Sequence, residues 1–499
     1  MTHFFRRCPL PESTSWLKNF PTRGAVLFAL IALGACSSAA APGAASGGAG
    51  NPAMAGSSGS LAAGSGGNPA ASGGDSGGQA GAAIVGGAPA AAGSGGFGGG
   101  GAAGAAGVGA ISGGAAGVGA GNGAAHWVGT WSASPYPVDS GNQPSASLAN
   151  SVLRQVVHAS LGGGQIRVQF SNLSGNGPVT VNAAHVALCK ATPAVDSTID
   201  PGTDQALAFA GSASVTIPAG QEVWSDPLAF SLPALGNLSI TLAFGGVPSN
   251  LTGHAGSRTT SYLQSASSNV SDASMSSAQK TDHWYYLSGL DVMADASAHC
   301  AVAIGDSITD GRGTDTNKND RWTDVLAARL QSNPASSHVA LLNQGIGATN
   351  LVGATGTAAE ARFNRDVLGQ SGVRYAIVYD GVNDIGGGAS FAAMKTVYDK
   401  LIAQAHQKGL LIYAGTILPF GANGYFSAAH ESVRQQVNTY LKSGVFDGYL
   451  DFDAALTDGG DPPKLQSVYA SWAQADGLHP GPAGYQKMGE VADLTLFTK

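Results

Sequence analysis

From Ala298 to the C-terminus, short apolar runs at 301–304, 339–342, 375–379, 410–414 and 449–452 alternate with amphipathic stretches within 321–331, 360–369, 391–407, 427–443 and 482–494. Strand and helix in strict alternation leave few options. Each helix carries the chain back to the same edge of a sheet, which gives parallel strands, right-handed crossovers and helices on both faces. Ligands bind beyond the carboxyl ends of the strands in such a sheet, so chemistry is expected in the loops that follow the apolar runs.

The first of these loops is Gly305-Asp306-Ser307-Ile308-Thr309-Asp310-Gly311, directly after Ala301-Val302-Ala303-Ile304. It presents Ser307 at a strand end ahead of a helix-prone segment. A serine hydroxyl is a poor nucleophile at neutral pH and needs a base, an acid to orient the base, and donors for the oxyanion. The loop Asp476-Gly477-Leu478-His479-Pro480 supplies the first two, and His479 alone among eleven histidines lies in an Asp-x-x-His-Pro context. Asp476 on one ring nitrogen would set the tautomer and leave the other nitrogen for the Ser307 proton. Asn383, in Asp380-Gly381-Val382-Asn383-Asp384, offers a side-chain amide to the oxyanion. Backbone N–H groups of Asn343-Gln344-Gly345-Ile346-Gly347-Ala348 and of Ser307 are the other candidates. Turn-forming roles account equally well for the Asn and Gly residues.

These motifs together resemble the GDSL or SGNH hydrolases, whose four blocks contribute Ser, Gly, Asn and His with an Asp three residues before the His. The resemblance covers about 300–495. It implies a flavodoxin-like three-layer α/β/α domain, ester hydrolysis through an acyl-enzyme without a cofactor, and Ser307, Asp476 and His479 as the triad. It also implies an oxyanion hole from Ser307, Asn383 and the last residue of the second block. The family usually has Gly there, in Asn-x-Gly-Ile-x-Gly, and this chain has Ala348. A backbone donor survives that exchange if the alanine conformation permits, and Gly347 is the alternative.

Between 126 and 290 the pattern is different: short alternating runs such as Gln165-Ile166-Arg167-Val168-Gln169-Phe170 and Leu238-Ser239-Ile240-Thr241-Leu242, broken by Gly, Asn, Pro and Ser. Period-two runs bounded by turn residues predict antiparallel strands in a β-sandwich or jelly roll. Trp127-Val128-Gly129-Thr130-Trp131-Ser132-Ala133-Ser134-Pro135 and Leu153-Arg154-Gln155-Val156-Val157-His158 resemble the β-rich module that precedes the hydrolase in the acetylxylan-esterase-like or arylesterase-like GDSL branch. That resemblance implies short-acyl esters on plant polysaccharide as substrate. A lipase or arylesterase for longer or aryl esters is a second reading, and a surface carbohydrate-binding protein with a relict hydrolase domain is a third.

Residues 37–124 are Gly, Ala and Ser with one charge, Asp75, and one aromatic ring, Phe97. Such a tract cannot bury enough apolar surface to offset its chain entropy and is expected to be a disordered tether, with a reach of roughly 50 Å. Gly74-Asp75-Ser76-Gly77-Gly78 within it matches a serine-nucleophile string, but neither strand nor helix flanks it. Ahead of it, Arg6, Arg7, Lys18 and Arg23 precede an apolar stretch at 25–33, which reads as an export signal. Leu33-Gly34-Ala35-Cys36 resembles the bacterial lipoprotein signal and implies lipidation of Cys36; the other reading is an ordinary secretory signal. The expected organisation is therefore a signal at 1–35, a tether at 36–124, a β-module at 125–297 and a hydrolase domain at 298–499, exported to the cell envelope and touching membrane only through its N-terminal anchor. Outside the N-terminal part, Cys189 and Cys300 remain, as a disulfide or as two free buried thiols. A net charge of −7 disfavours nucleic acid as a partner. The string Asp315-x-Asn317-x-Asn319 mimics the start of a calcium loop, but Asp320 replaces its glycine and Leu326 its final glutamate, so no metal is expected.

Overall fold

The computed structural model describes residues 124–499, apart from 192, 193, 195 and 266–268. The expected signal, the Cys36 lipidation site and nearly all of the tether lie outside the described residues.

The C-terminal half is built on five parallel strands: β1 (His299–Gly305), β2 (Val339–Gly345), β3 (Val373–Tyr379), β4 (Leu411–Gly415) and β5 (Gly448–Leu450). Their spatial order is β2-β1-β3-β4-β5, the doubly wound order in which the chain reverses direction between β1 and β3. The connecting helices are α1 (Ser307–Asp310), α2 (Trp322–Ser332), α3 (Ala359–Phe363), α4 (Val382–Gly386), α5 (Phe391–Gln407), α6 (Ala428–Leu441), α7 (Phe452–Leu456) and α8 (Pro482–Val491). They form two groups: α2 packs on α8 and α8 on α7, while α5 packs on α3 and α6. The interior strand β1 reads Cys-Ala-Val-Ala-Ile over 300–304 and is wholly buried there, as a strand covered on both faces requires.

Register decides where the loops emerge. Gly305 is paired with Gly345 on one side and with Tyr379 on the other. The segments after β1, β2 and β3 therefore leave the sheet side by side.

The N-terminal half is antiparallel. One sheet orders His126–Ser132, Leu287–Ala294, Gly163–Ser171 and Glu222–Trp224, with Leu228–Leu232 also on Gly163–Ser171. A larger sheet centres on Ser151–His158, Asn237–Phe244 and Val179–Leu188. A small third sheet joins Tyr136–Pro137, Thr252–His254 and Trp284–Tyr285. Inward residues of both larger sheets, such as Val168, Phe170 and Leu290 with Leu153, Ile240 and Leu242, belong to one buried cluster.

That cluster continues into the parallel domain. Gly129 N–H donates to Ser371 O (2.9 Å), Leu341 N–H to Ser160 Oγ (3.0 Å) and Gln344 Nε2 to Ser132 Oγ (2.8 Å). A Cβ on Gly129 would strike the Leu342 side chain, so the closeness of the first module strand to β2 depends on glycine.

The disulfide alternative is not realised: Cys189 and Cys300 are both free. Cys189 follows the module strand Val179–Leu188 and bridges to Ile199, whereas Cys300 lies in β1 with its Sγ directed at Ser371 O (3.4 Å). The two thiols belong to different sheets, and burial pushes the Cys189 thiol up to about 12 and the Cys300 thiol still higher.

Candidate active site

Ser307 begins α1 immediately beyond β1. The turn is tight because Asp306 caps the helix, its carboxylate accepting from Ile308 N–H (2.8 Å), and because Gly311 closes it at φ 94° with an N–H to Ser307 O (3.0 Å). Glycine is required at both neighbouring strand ends. A Cβ at Gly305 would collide with Tyr379 O and Thr309, and one at Gly345 with the Asp310 backbone. Arg362 of α3 is fixed beneath, donating to Gly305 O (2.9 Å) and Gln344 O (2.5 Å) and pairing with Asp366 (3.1 Å).

His479 Nε2 lies 2.7 Å from Ser307 Oγ, and His479 Nδ1 lies 2.7 Å from Asp476 Oδ2. An ionised carboxylate only accepts, so Nδ1 carries the proton and Nε2 accepts from the Ser307 hydroxyl. Asp476 is itself fixed, since its Oδ1 accepts from the Leu478 N–H (3.0 Å) and the His479 N–H (2.9 Å). This i to i+3 geometry needs the sharp turn at Gly477, where φ is 74°. Burial pushes the His479 pKa below the ordinary histidine value, Asp476 counters it, and Arg312 and Arg258 push it down further. Burial opposes ionisation of Asp476, but the hydrogen bonds from His479 and Leu478 hold its carboxyl below the usual range.

Gly347 and Ala348 follow β2, and Asn383 sits in the first turn of α4 after β3, so both segments stand at the same sheet edge as Ser307. Asn383 ties them together: its Nδ2 donates to Thr349 O (2.7 Å), and its Oδ1 accepts from Tyr425 OH (3.1 Å). One amide hydrogen is thereby engaged, and the other has no acceptor among the described residues. Asp384 accepts from Leu351 N–H (2.7 Å) and Val352 N–H (2.9 Å), closing the same loop. Ala348 adopts φ 61°, the left-handed conformation that a glycine would occupy without strain.

Residues 303–487 match the model of the GDSL-like Lipase/Acylhydrolase family. The chain carries a GDSL-like hydrolase domain, and its activity is the hydrolysis of esters. Solved structures similar to this GDSL-like chain include a member of the lipolytic protein G-D-S-L family from Veillonella parvula, at 22% identity over 40% of this chain and 100% of that one, with a TM-score of 0.31. A GDSL-like lipase from Bacteroides thetaiotaomicron shows 16% identity over 38% and 84%, with a TM-score of 0.30. An acetyl xylan esterase from Geobacillus stearothermophilus shows 19% identity over 39% and 93%, also with a TM-score of 0.30. No curated protein matches the chain.

Sequence reasoning missed the β-module's contribution to this edge of the GDSL-like domain. His254, from the small third sheet, places Nε2 at 2.9 Å from Asp310 Oδ1 and Nδ1 at 3.0 Å from Ser134 O. Arg258 lies 3.5 Å from the other Asp310 oxygen, and Arg321 donates to Asp310 O (2.9 Å), Gly256 O (3.1 Å) and Ser257 O (2.5 Å). Burial alone would raise the Asp310 carboxyl; His254, Arg258 and Arg321 outweigh it and hold it below the usual range. No local pattern marks His254, because its partner is 56 residues away in the chain.

Proposed function

We propose that the protein is a serine esterase in which Ser307 attacks the ester carbonyl, His479 takes its proton on Nε2, and Asp476 holds the ring and stabilises the imidazolium. His479 then returns the proton to the leaving alcohol, and a water, deprotonated by the same nitrogen, releases the acid from the acyl-enzyme. The amides of Ser307, Gly347 or Ala348, and Asn383 are assigned to the oxyanion, where loss of one donor typically costs about 10²–10³ in rate. The observation that carries the reading is the chain of two 2.7 Å contacts from Ser307 through His479 to Asp476.

Short-acyl, chiefly acetyl, esters of polysaccharide are the proposed substrates. The support is the sequence of the β-module, in the Trp127-to-Pro135 and Leu153-to-His158 strings. The export signal and Cys36 support an enzyme anchored by lipid to the cell envelope. Ser307→Ala is expected to abolish hydrolysis of p-nitrophenyl acetate while leaving the circular dichroism spectrum intact. An unchanged rate would remove Ser307 as the nucleophile.

A further inference from the structure

Among the described residues, most arginines are saturated. Arg154, Arg321, Arg362, Arg365 and Arg434 each donate two or more hydrogen bonds to carbonyls, hydroxyls or carboxylates. Arg258 and Arg312 are different. Among the described residues neither guanidinium donates a hydrogen bond, and their ion pairs are long, 3.5 Å to Asp310 and 3.9 Å to Asp476. Both of those carboxylates already have closer partners, His254 at 2.9 Å and His479 at 2.7 Å.

The two arginines come from different halves of the chain and stand at two carboxylates next to the catalytic residues, Asp310 at the end of α1 and Asp476 on His479. Arg312 follows Gly311 at the end of α1, is 50% exposed, and lies over the Trp472 ring at 5.8 Å. That ring meets His479 edge-on at 6.4 Å. Arg258 belongs to the β-module and is 30% exposed. Its backbone is in the left-handed region, φ 50°, a conformation that is strained for an arginine and persists only where the surroundings enforce it. They do so through the calcium-like string. Asn317 N–H donates to Arg258 O (2.9 Å), while the Asn317 side chain accepts from Thr260 N–H (2.8 Å) and donates to Thr260 Oγ1 (2.9 Å). Residues that looked like half a metal loop instead clamp the loop that carries Arg258. One guanidinium thus stands 3.5 Å from Asp310, at the end of the helix that Ser307 opens, and the other 3.9 Å from Asp476, the partner of His479, in a chain whose net charge is −7.

From these relationships we infer that Arg258 and Arg312 form a carboxylate-binding rim, which selects esters whose alcohol half is an acidic sugar: O-acetylated uronate polysaccharides over neutral ones. The planar fork of a guanidinium matches a carboxylate; Arg258 Nε is buried without a partner, so Arg258 offers its terminal amino groups and Arg312 its whole fork, neither having to give up a hydrogen bond. The β-module then does more than pack against the hydrolase, because it supplies one of the two arginines.

This inference rests on the proposed esterase activity, and the test separates the two. Acetate release is measured with the full chain on O-acetylated homogalacturonan and on the same polymer after methyl esterification of its carboxylates, beside p-nitrophenyl acetate. The wild type is expected to favour the acidic polymer at least fivefold in kcat/KM, with the preference falling as salt rises from 0.05 to 0.5 M. In Arg258→Gln/Arg312→Gln the ratio should drop to near one, and in Arg258→Lys it should be partly kept. Comparing two substrates in each variant cancels losses common to both. Hydrolysis of p-nitrophenyl acetate with no preference between the polymers, with no acetate released from either, or with a preference that survives the double substitution, overturns the rim alone. No hydrolysis of any ester overturns the proposed function as well.

Discussion

His254 Nε2 lies 2.9 Å from Asp310 Oδ1, and both side chains are only 4% exposed. The other ring nitrogen faces Ser134 O at 3.0 Å, so the ring is held from both sides. Asp310 is the last residue of α1, the helix that Ser307 begins, and Gly256 of the module is pressed so closely on its carboxylate that a Cβ would not fit. Removing one partner of a buried pair leaves an uncompensated charge, typically at a cost of 3–5 kcal/mol. His254→Ala is therefore expected to lose about 3 kcal/mol of stability in urea unfolding, and Asp310→Asn added to it should cost much less than on its own. Strict additivity in that double-mutant cycle would mean that the two residues are not coupled.

Ala348 gives a test of opposite sign. At φ 61° an L-residue pays for the contact of its Cβ with the following carbonyl, on the order of 1 kcal/mol, and glycine does not. Ala348→Gly is expected to raise the urea midpoint slightly and to leave kcat on p-nitrophenyl acetate at or above the wild-type value. Ala348→Val, whose branched side chain tolerates this region poorly, should lower both. Loss of activity on substituting glycine would show that the alanine side chain itself matters.

Local patterns placed the five parallel strands and the helix at 391–407, because apolar runs and helical periodicity are properties of neighbouring residues. They placed less well the stretch at 360–369, which breaks into α3 and a wider turn over Asn364–Leu368, and the last strand, where Phe452 opens α7 rather than ending β5. Asp476 and His479 were legible because one turn holds both. Long-range partners left no trace: the engagement of Asn383 by Thr349 and Tyr425, and the reach of His254 and Arg258 to Asp310, depend on how two halves of the chain pack.

The pH profile follows from His479. Ser307 needs the neutral imidazole, and burial together with Arg312 and Arg258 holds the His479 pKa below the ordinary value of 6.5. Protonation then abolishes the base only in acid. On p-nitrophenyl acetate, kcat/KM is expected to rise on a limb whose midpoint lies below 6.5 and to be flat from there to pH 8. Arg312→Gln should move that midpoint upward, since it removes a positive charge that disfavours the imidazolium. A limb centred above 7 in the wild type would contradict the environment described.

Stability should respond to pH in the other direction, because of a cluster of carboxyls behind the serine turn. Asp380 is buried and, among the described residues, neither of its oxygens has a hydrogen-bond partner; burial, then Asp306 and Asp384, raise its pKa well above the usual range. Burial likewise raises Asp306 to about 7, with Asp384 adding to it. In the unfolded chain both carboxyls titrate near 4. Between there and about 7 the folded state holds more protons than the unfolded one, so this cluster's contribution to stability is complete at low pH and is lost as the pH rises through about 7. Asp380→Asn keeps the shape and removes one ionisation. Its urea midpoint is expected to exceed that of the wild type at pH 8 and to approach it at pH 5, and parallel curves across that range would show that Asp380 does not titrate in the folded protein.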